Sequence, residues 1–140
     1  MDIDLLLAKI ESLRKCILRI EQKRPLNAEI LQSDIDLQDI ISVNLERAVQ
    51  QCVDIAAIII AETDNPPPAT MASAIVLLSD YGIIDKDLSE RLRKAVGFRN
   101  IAVHEYYKID WNIVFSIITN NLDDFRRLTS LVLSFIDNKH

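Results

Sequence analysis

Leu6, Ile10, Leu13, Ile17 and Ile20 recur every three or four residues, while Lys9, Arg14, Lys15 and Arg19 fall between them. That spacing is one apolar stripe on a helix. It predicts a helix from about Asp4 to Lys23, which Pro25 stops. A longer stripe of Leu37, Ile41, Leu45, Ala48, Cys52, Ile55 and Ile59 predicts a long helix starting near Asp34, the spine of the core. Asn44 lies beside this stripe and is expected to hydrogen-bond a neighbouring helix. The stretch "TDNPPPAT" ends the spine, because three consecutive prolines cannot continue a helix and force the preceding residues into extended geometry. It reads as a stiff connector. A shorter helix follows from about Ala69 to Asp80 and closes at "DYGII", where Gly82 can take the left-handed conformation of a helix C-terminus. Behind the capping candidates Asp85 and Asp87, the positions Leu88, Leu92, Ala95 or Val96, and Ile101 or Ala102 predict another helix. Asp110 is expected to cap a final long helix with Val114, Ile118, Leu122, Phe125, Leu128, Val132 and Phe135 on its inner side. The pattern predicts an all-α fold: a bundle of four main helices plus one short accessory helix, in a single domain over residues 1–140.

Composition supports helices. Of 140 residues, 49% are apolar and only two are glycine, which is ample core material for one domain and too few turn residues for an all-β chain. The net charge of −5 excludes coating of nucleic acid by bulk electrostatics, so any contact with RNA has to come from a local basic patch. Cys16 and Cys52 fall on apolar stripes without partners at metal-ligand spacing and read as buried thiols of a cytosolic protein. The opening "MDIDLLLAKIE" has acids where a signal peptide has Lys or Arg, and the longest uncharged apolar run, "IAAIIIA", is too short to span a bilayer. The expectation is a cytoplasmic protein with no membrane partner. Gly-rich phosphate loops, a nucleophile elbow and a paired-carboxylate metal motif are absent from the sequence.

Candidate chemistry is confined to "GFRNIAVHEYYKID", which holds Arg99, Asn100, His104 and Tyr106. An imidazole can move a proton at neutral pH and a guanidinium can hold phosphate oxygens as they gain charge. Those two functions suffice for cleaving RNA through its own 2'-hydroxyl, with no metal. On one helix, however, Arg99 and His104 are turned about 140° from each other. They converge if Arg99 uses its length, if the helix frays at its end, or if a second copy crosses the first, and Gly97 favours the last by permitting close backbone approach. The plain alternatives are a histidine satisfying carbonyls at a helix end, a solvated arginine, and two tyrosines rimming the core. Spacing leaves both sets open.

The order Arg, four residues, His, one residue, Tyr, with Asn directly after the Arg, resembles the signature of HepT-like toxins of the HEPN superfamily. The likeness extends to "LQDIISVNLERAVQQCVDIA" and "LRKAVGFRNIAVHEY" and covers most of the chain. It implies a HEPN-like helical bundle that forms a homodimer with a composite site. It further implies a metal-independent, cofactor-free endoribonuclease toxin acting on tRNA or mRNA. By the same resemblance Arg99 and His104 are the catalytic pair and Asn100 positions the substrate. Tyr106 is then the residue that a cognate MntA-like minimal nucleotidyltransferase antitoxin modifies with AMP, with Tyr107 as the other possible acceptor. A reading from a different class is a non-catalytic helical module, in which Arg99 and His104 hold a nucleotide or a partner's polyphosphate.

Overall fold

The computed structural model describes residues 1–139 as helices joined by short connections. In chain order they are α1 (Ile3–Lys23), α2 (Ala28–Ser33), α3 (Ile35–Ile60), α4 (Met71–Asp80), α5 (Lys86–His104), α6 (Trp111–Asn120) and α7 (Leu122–Lys139), with one 3-10 turn at Tyr106–Lys108. Acidic and amide side chains start most of them. Asp2, Asn27, Asp34 and Asp85 each accept a hydrogen bond from the backbone N–H three residues on, at 2.7 to 3.1 Å. Asp110 accepts from the N–H of Asn112 at 2.9 Å. Thr70 and Ser73 form a reciprocal capping box. Each such cap satisfies an N–H that the helix itself leaves unpaired, and is worth about 1 kcal/mol.

The spine forms as its stripe predicts. Ile41, Leu45, Ala48, Val49, Cys52, Ile55, Ala56, Ile59 and Ile60 of α3 are all buried. α1 lies along one side of α3, α4 and α5 cover another, and α7 closes the bundle against α1 and α5. One cluster of buried side chains draws on every α-helix. Fully burying one Leu or Ile contributes roughly 1.5–3 kcal/mol, so this cluster dominates the stability. Polar ties fix helix register at the edges: Lys9 Nζ meets Asp54 Oδ2 at 2.9 Å between α1 and α3, and Arg91 Nε meets Asp124 Oδ1 at 2.9 Å between α5 and α7. Cys16 and Cys52 are buried and free, and burial pushes both thiols up from their ordinary range. No helix among the described residues is long and apolar enough to cross a membrane.

Four details differ from the pattern reading. The short helix α2 was invisible to it, since six residues give too little periodicity; it is held by Gln38 Nε2 donating to the Leu31 carbonyl at 2.9 Å and by Gln32 Nε2 donating to Asn112 Oδ1 at 2.8 Å. The last helix is two helices, broken at Asn121, where φ is −121° and the side chain donates to Asp124 Oδ2 at 3.1 Å. Val114, Ile118, Leu122 and Phe125 keep a four- and three-residue rhythm across the break and all stay buried, so periodicity could not reveal it. Near the C-terminus Ile136 is buried and Phe135 only half-buried. Asn44 donates to the Ile40 carbonyl of its own helix at 2.8 Å, because it points off the stripe and finds the preceding turn within reach. Gly82 does take the left-handed conformation, with φ +75°.

Ile55 sits fully buried at the centre of the spine. An Ile55→Ala substitution is expected to lower the unfolding free energy by about 2–5 kcal/mol, measured by urea denaturation followed by circular dichroism.

Candidate functional site at the end of helix α5

α5 is a basic element of an acidic protein: it carries five Lys or Arg against two acids. Leu88, Leu92, Ala95, Val96, Phe98 and Ala102 are buried and fix its rotation. That rotation decides where the polar residues go. Arg99, next to Phe98, is half-buried, whereas Asn100 and His104 are exposed and four residues apart on one face. Arg99 and His104 are thus held on the last turns of one helix but on different sides of it. No hydrogen bond or ion pair joins them.

α5 ends at His104. Glu105 leaves the helical conformation at φ −143° and ψ 53°, and its carbonyl accepts from the N–H of Lys108 at 2.7 Å. This tight turn sends Tyr106 back across the bundle onto α3. There the Tyr106 hydroxyl donates to Asp39 Oδ1 at 3.0 Å, and its ring meets Trp111 edge-on at 6.0 Å between centroids. Tyr107 turns outward, 82% exposed against 42% for Tyr106, with the Lys108 ammonium 5.9 Å from its ring centre.

Two carboxylates of α3 therefore stand behind the signature helix. Burial pushes the Glu46 carboxyl above the usual carboxylate range, and the nearby Arg99 and Arg47 guanidiniums pull it back. The Tyr106 phenol is raised as well: burial contributes most, the Ser42 hydroxyl lowers it, and the Asp39 and Glu46 carboxylates add to the rise. Asp39, Ser42 and Glu46 were missed by the sequence reading. They are spaced three and four apart, a polar line beside the apolar stripe of α3, and that spacing is the signal that could have found them. Trp111 was missed too, being the first residue of α6 and outside any stripe.

Beside the site runs an apolar groove of about 610 Å³ between α5 and α6, lined among others by Ala95, Gly97, Phe98, Ile101, Ile113 and Ile117. Gly97 is exposed and a Cβ built on it would meet nothing within 4 Å, so this part of α5 is open in the single chain.

A family model described as ribonuclease HepT-like matches residues 10–132. The mRNA nuclease HepT of Shewanella oneidensis is 33% identical over 129 residues, covering 92% of this chain and 96% of that one. Among solved structures, a toxin–antitoxin complex with AMP-PNP superposes with a TM-score of 0.87 at 31% identity, covering 94% of this chain and 98% of that chain. The tri-AMPylated HEPN toxin of Shewanella oneidensis in complex with its MNT antitoxin gives 0.87 at 32% identity, covering 96% and 99%.

The raised phenol has a pH signature. The fold's preference for neutral Tyr106 is fully present below the ordinary tyrosine value of 10.0 and is lost as pH rises through the higher folded value. Alkaline titration at the phenolate absorbance band is expected to show a late component that Tyr106→Phe removes and Asp39→Asn moves to lower pH.

Proposed function

This chain belongs to the ribonuclease HepT-like family, and on that footing we propose that it is the endoribonuclease toxin of a toxin–antitoxin pair, silenced when a minimal nucleotidyltransferase antitoxin attaches AMP to Tyr106. The observation that carries this reading is that α5, with five Lys or Arg against two acids, bears Arg99, Asn100 and His104 on its last turns and leads directly into Tyr106. RNA, as mRNA or tRNA, is the substrate class such a patch fits, and the cytoplasm is where it would be met. The whole chain acts as one domain, in keeping with the single buried cluster.

In this reading Arg99 clamps the scissile phosphate and stabilises the charge it gains in the transition state. His104 moves a proton to or from the reacting oxygens, Asn100 is a positioning donor, and the 2'-hydroxyl of the RNA is the nucleophile. No metal or cofactor takes part. Because one chain holds Arg99 and His104 on different sides of α5, the composite site is completed by a second copy. The open surface at Gly97 and the exposed Ile101 and Ile113 beside it suit close packing of that copy in a symmetric dimer. AMP on Tyr106 replaces a hydroxyl by an anionic phosphodiester with a bulky nucleoside, which competes with RNA for Arg99 and fills the cleft.

Pure protein in the presence of chelator is expected to cut RNA, and His104→Ala to lower the rate about 10²-fold or more without changing the thermal melt. Equal cutting by the mutant would remove the nuclease assignment. Binding of RNA without any cleavage by the parent would favour the non-catalytic module instead.

The dimer has its own test. Gly97→Leu leaves the isolated fold intact, since the site is open, yet is expected to turn a dimer into a monomer in light scattering and to abolish RNA cleavage. A parent chain that is monomeric at micromolar concentration and fully active would rule out the shared site.

A further inference from the structure

We propose that Asp39 is the positioning residue that makes Tyr106 the AMP acceptor: its carboxylate aims the phenol and takes the proton as the new bond forms. The inference rests on the AMP-control reading above and adds to it the residue of this chain that prepares the nucleophile.

Tyr106 is gripped at both ends. The ring lies edge-on to Trp111, and the hydroxyl donates to Asp39 Oδ1 at 3.0 Å. A phenol that gives its proton to a carboxylate points its oxygen lone pairs away from that carboxylate. The Ser42 hydroxyl lies beside the same oxygen, and with Tyr106 42% exposed a nucleotide can approach it from the open side. Ordering the attacking oxygen in advance removes rotational freedom that would otherwise oppose the transition state. Asp39 is itself exposed, on the second turn of α3, so the proton it receives can pass to water.

The protonation state calls for such a partner. With the phenol raised above its usual range, chiefly by burial, no useful fraction of phenolate exists at neutral pH. A carboxylate that accepts a hydroxyl proton during transfer to phosphorus is the arrangement kinases use for their substrate alcohols. The step balances as follows. The Tyr106 oxygen forms a bond to the α-phosphorus of a nucleoside triphosphate bound by the antitoxin. The bond from that phosphorus to the bridging oxygen breaks, pyrophosphate leaves with the electron pair, and the phenol proton moves to Asp39.

The same geometry separates the two tyrosines. Among the described residues no carboxylate is hydrogen-bonded to Tyr107, which is 82% exposed and has the Lys108 ammonium against its ring. It has neither the proton acceptor nor the fixed direction. The selection between adjacent tyrosines thus lies in this chain and not only in the antitoxin.

The test is AMP transfer from ATP and Mg²⁺ by the nucleotidyltransferase antitoxin to the full-length parent, Asp39→Asn, Asp39→Glu and Tyr106→Phe chains. Intact mass, peptide mapping and initial rates are read. Asp39→Asn is expected to lower kcat for transfer about 10²-fold, with KM for ATP and for the toxin within about threefold, and to spread the residual label onto Tyr107. Asp39→Glu should recover part of the rate, which a merely structural role for Asp39 would not produce. Unmodified Asp39→Asn should keep its thermal melt, showing that the fold is intact. Parental rate and Tyr106 selectivity in Asp39→Asn would overturn the role of Asp39 while leaving AMP control standing. No label on the parent, or label on Tyr107 alone, would overturn AMP control of Tyr106 and this inference with it.

Discussion

The rotational setting of α3 about its own axis governs most of what this protein is. Nine of its apolar side chains are buried as it packs against α1, α4 and α5, and each buried Leu or Ile is worth more than a typical surface contact by several-fold. A helix anchored in this way cannot turn. Its remaining faces are therefore fixed as well, and one of them carries Asp39 and Glu46, with the buried Ser42 between them. The apolar stripe builds the core and, by the same constraint, presents a line of polar groups to the end of α5.

Around that line the site joins two opposed demands. Arg99 and the rest of α5 supply positive charge on a body of net charge −5, while Asp39 and Glu46 place negative charge behind it. Glu46 is partly desolvated and close enough to Arg99 to be drawn down by it. An incoming phosphate therefore meets a guanidinium with a carboxylate in its neighbourhood. An anion on Tyr106 would meet the Asp39 and Glu46 carboxylates that already act on the phenol.

The turn after α5 links the two ends of the site. α5 stops at His104, two residues before Tyr106. The non-helical backbone at Glu105 and the 3-10 turn after it bring the phenol onto Asp39, and Trp111 at the start of α6 meets the ring edge-on. Three connections that look like simple joints, the end of α5, the turn and the cap of α6 by Asp110, thus act as one positioning device. Its polar contacts lie near the surface, so they contribute little to stability, and their effect is on direction.

The sequence by itself determined the helices, because an apolar residue every three or four positions records which side of a helix loses contact with water. That record was enough for α1, α3, α5, the start of α6 and the buried cysteines; the stretch with Arg99, Asn100, His104 and Tyr106 stood out by its residue types, not by periodicity. It could not show the break at Asn121, where the stripe stays in phase, nor α2, which is shorter than two turns. The partners of the candidate site were decided only by tertiary structure. Asp39 and Tyr106 are 67 residues apart in the chain, and their hydrogen bond exists because α3 and α5 are packed at fixed rotation and the chain turns sharply at Glu105. Periodicity reports the environment of one helix face at a time; a contact between polar groups on different helices depends on the relative placement of both, which only the packed core sets.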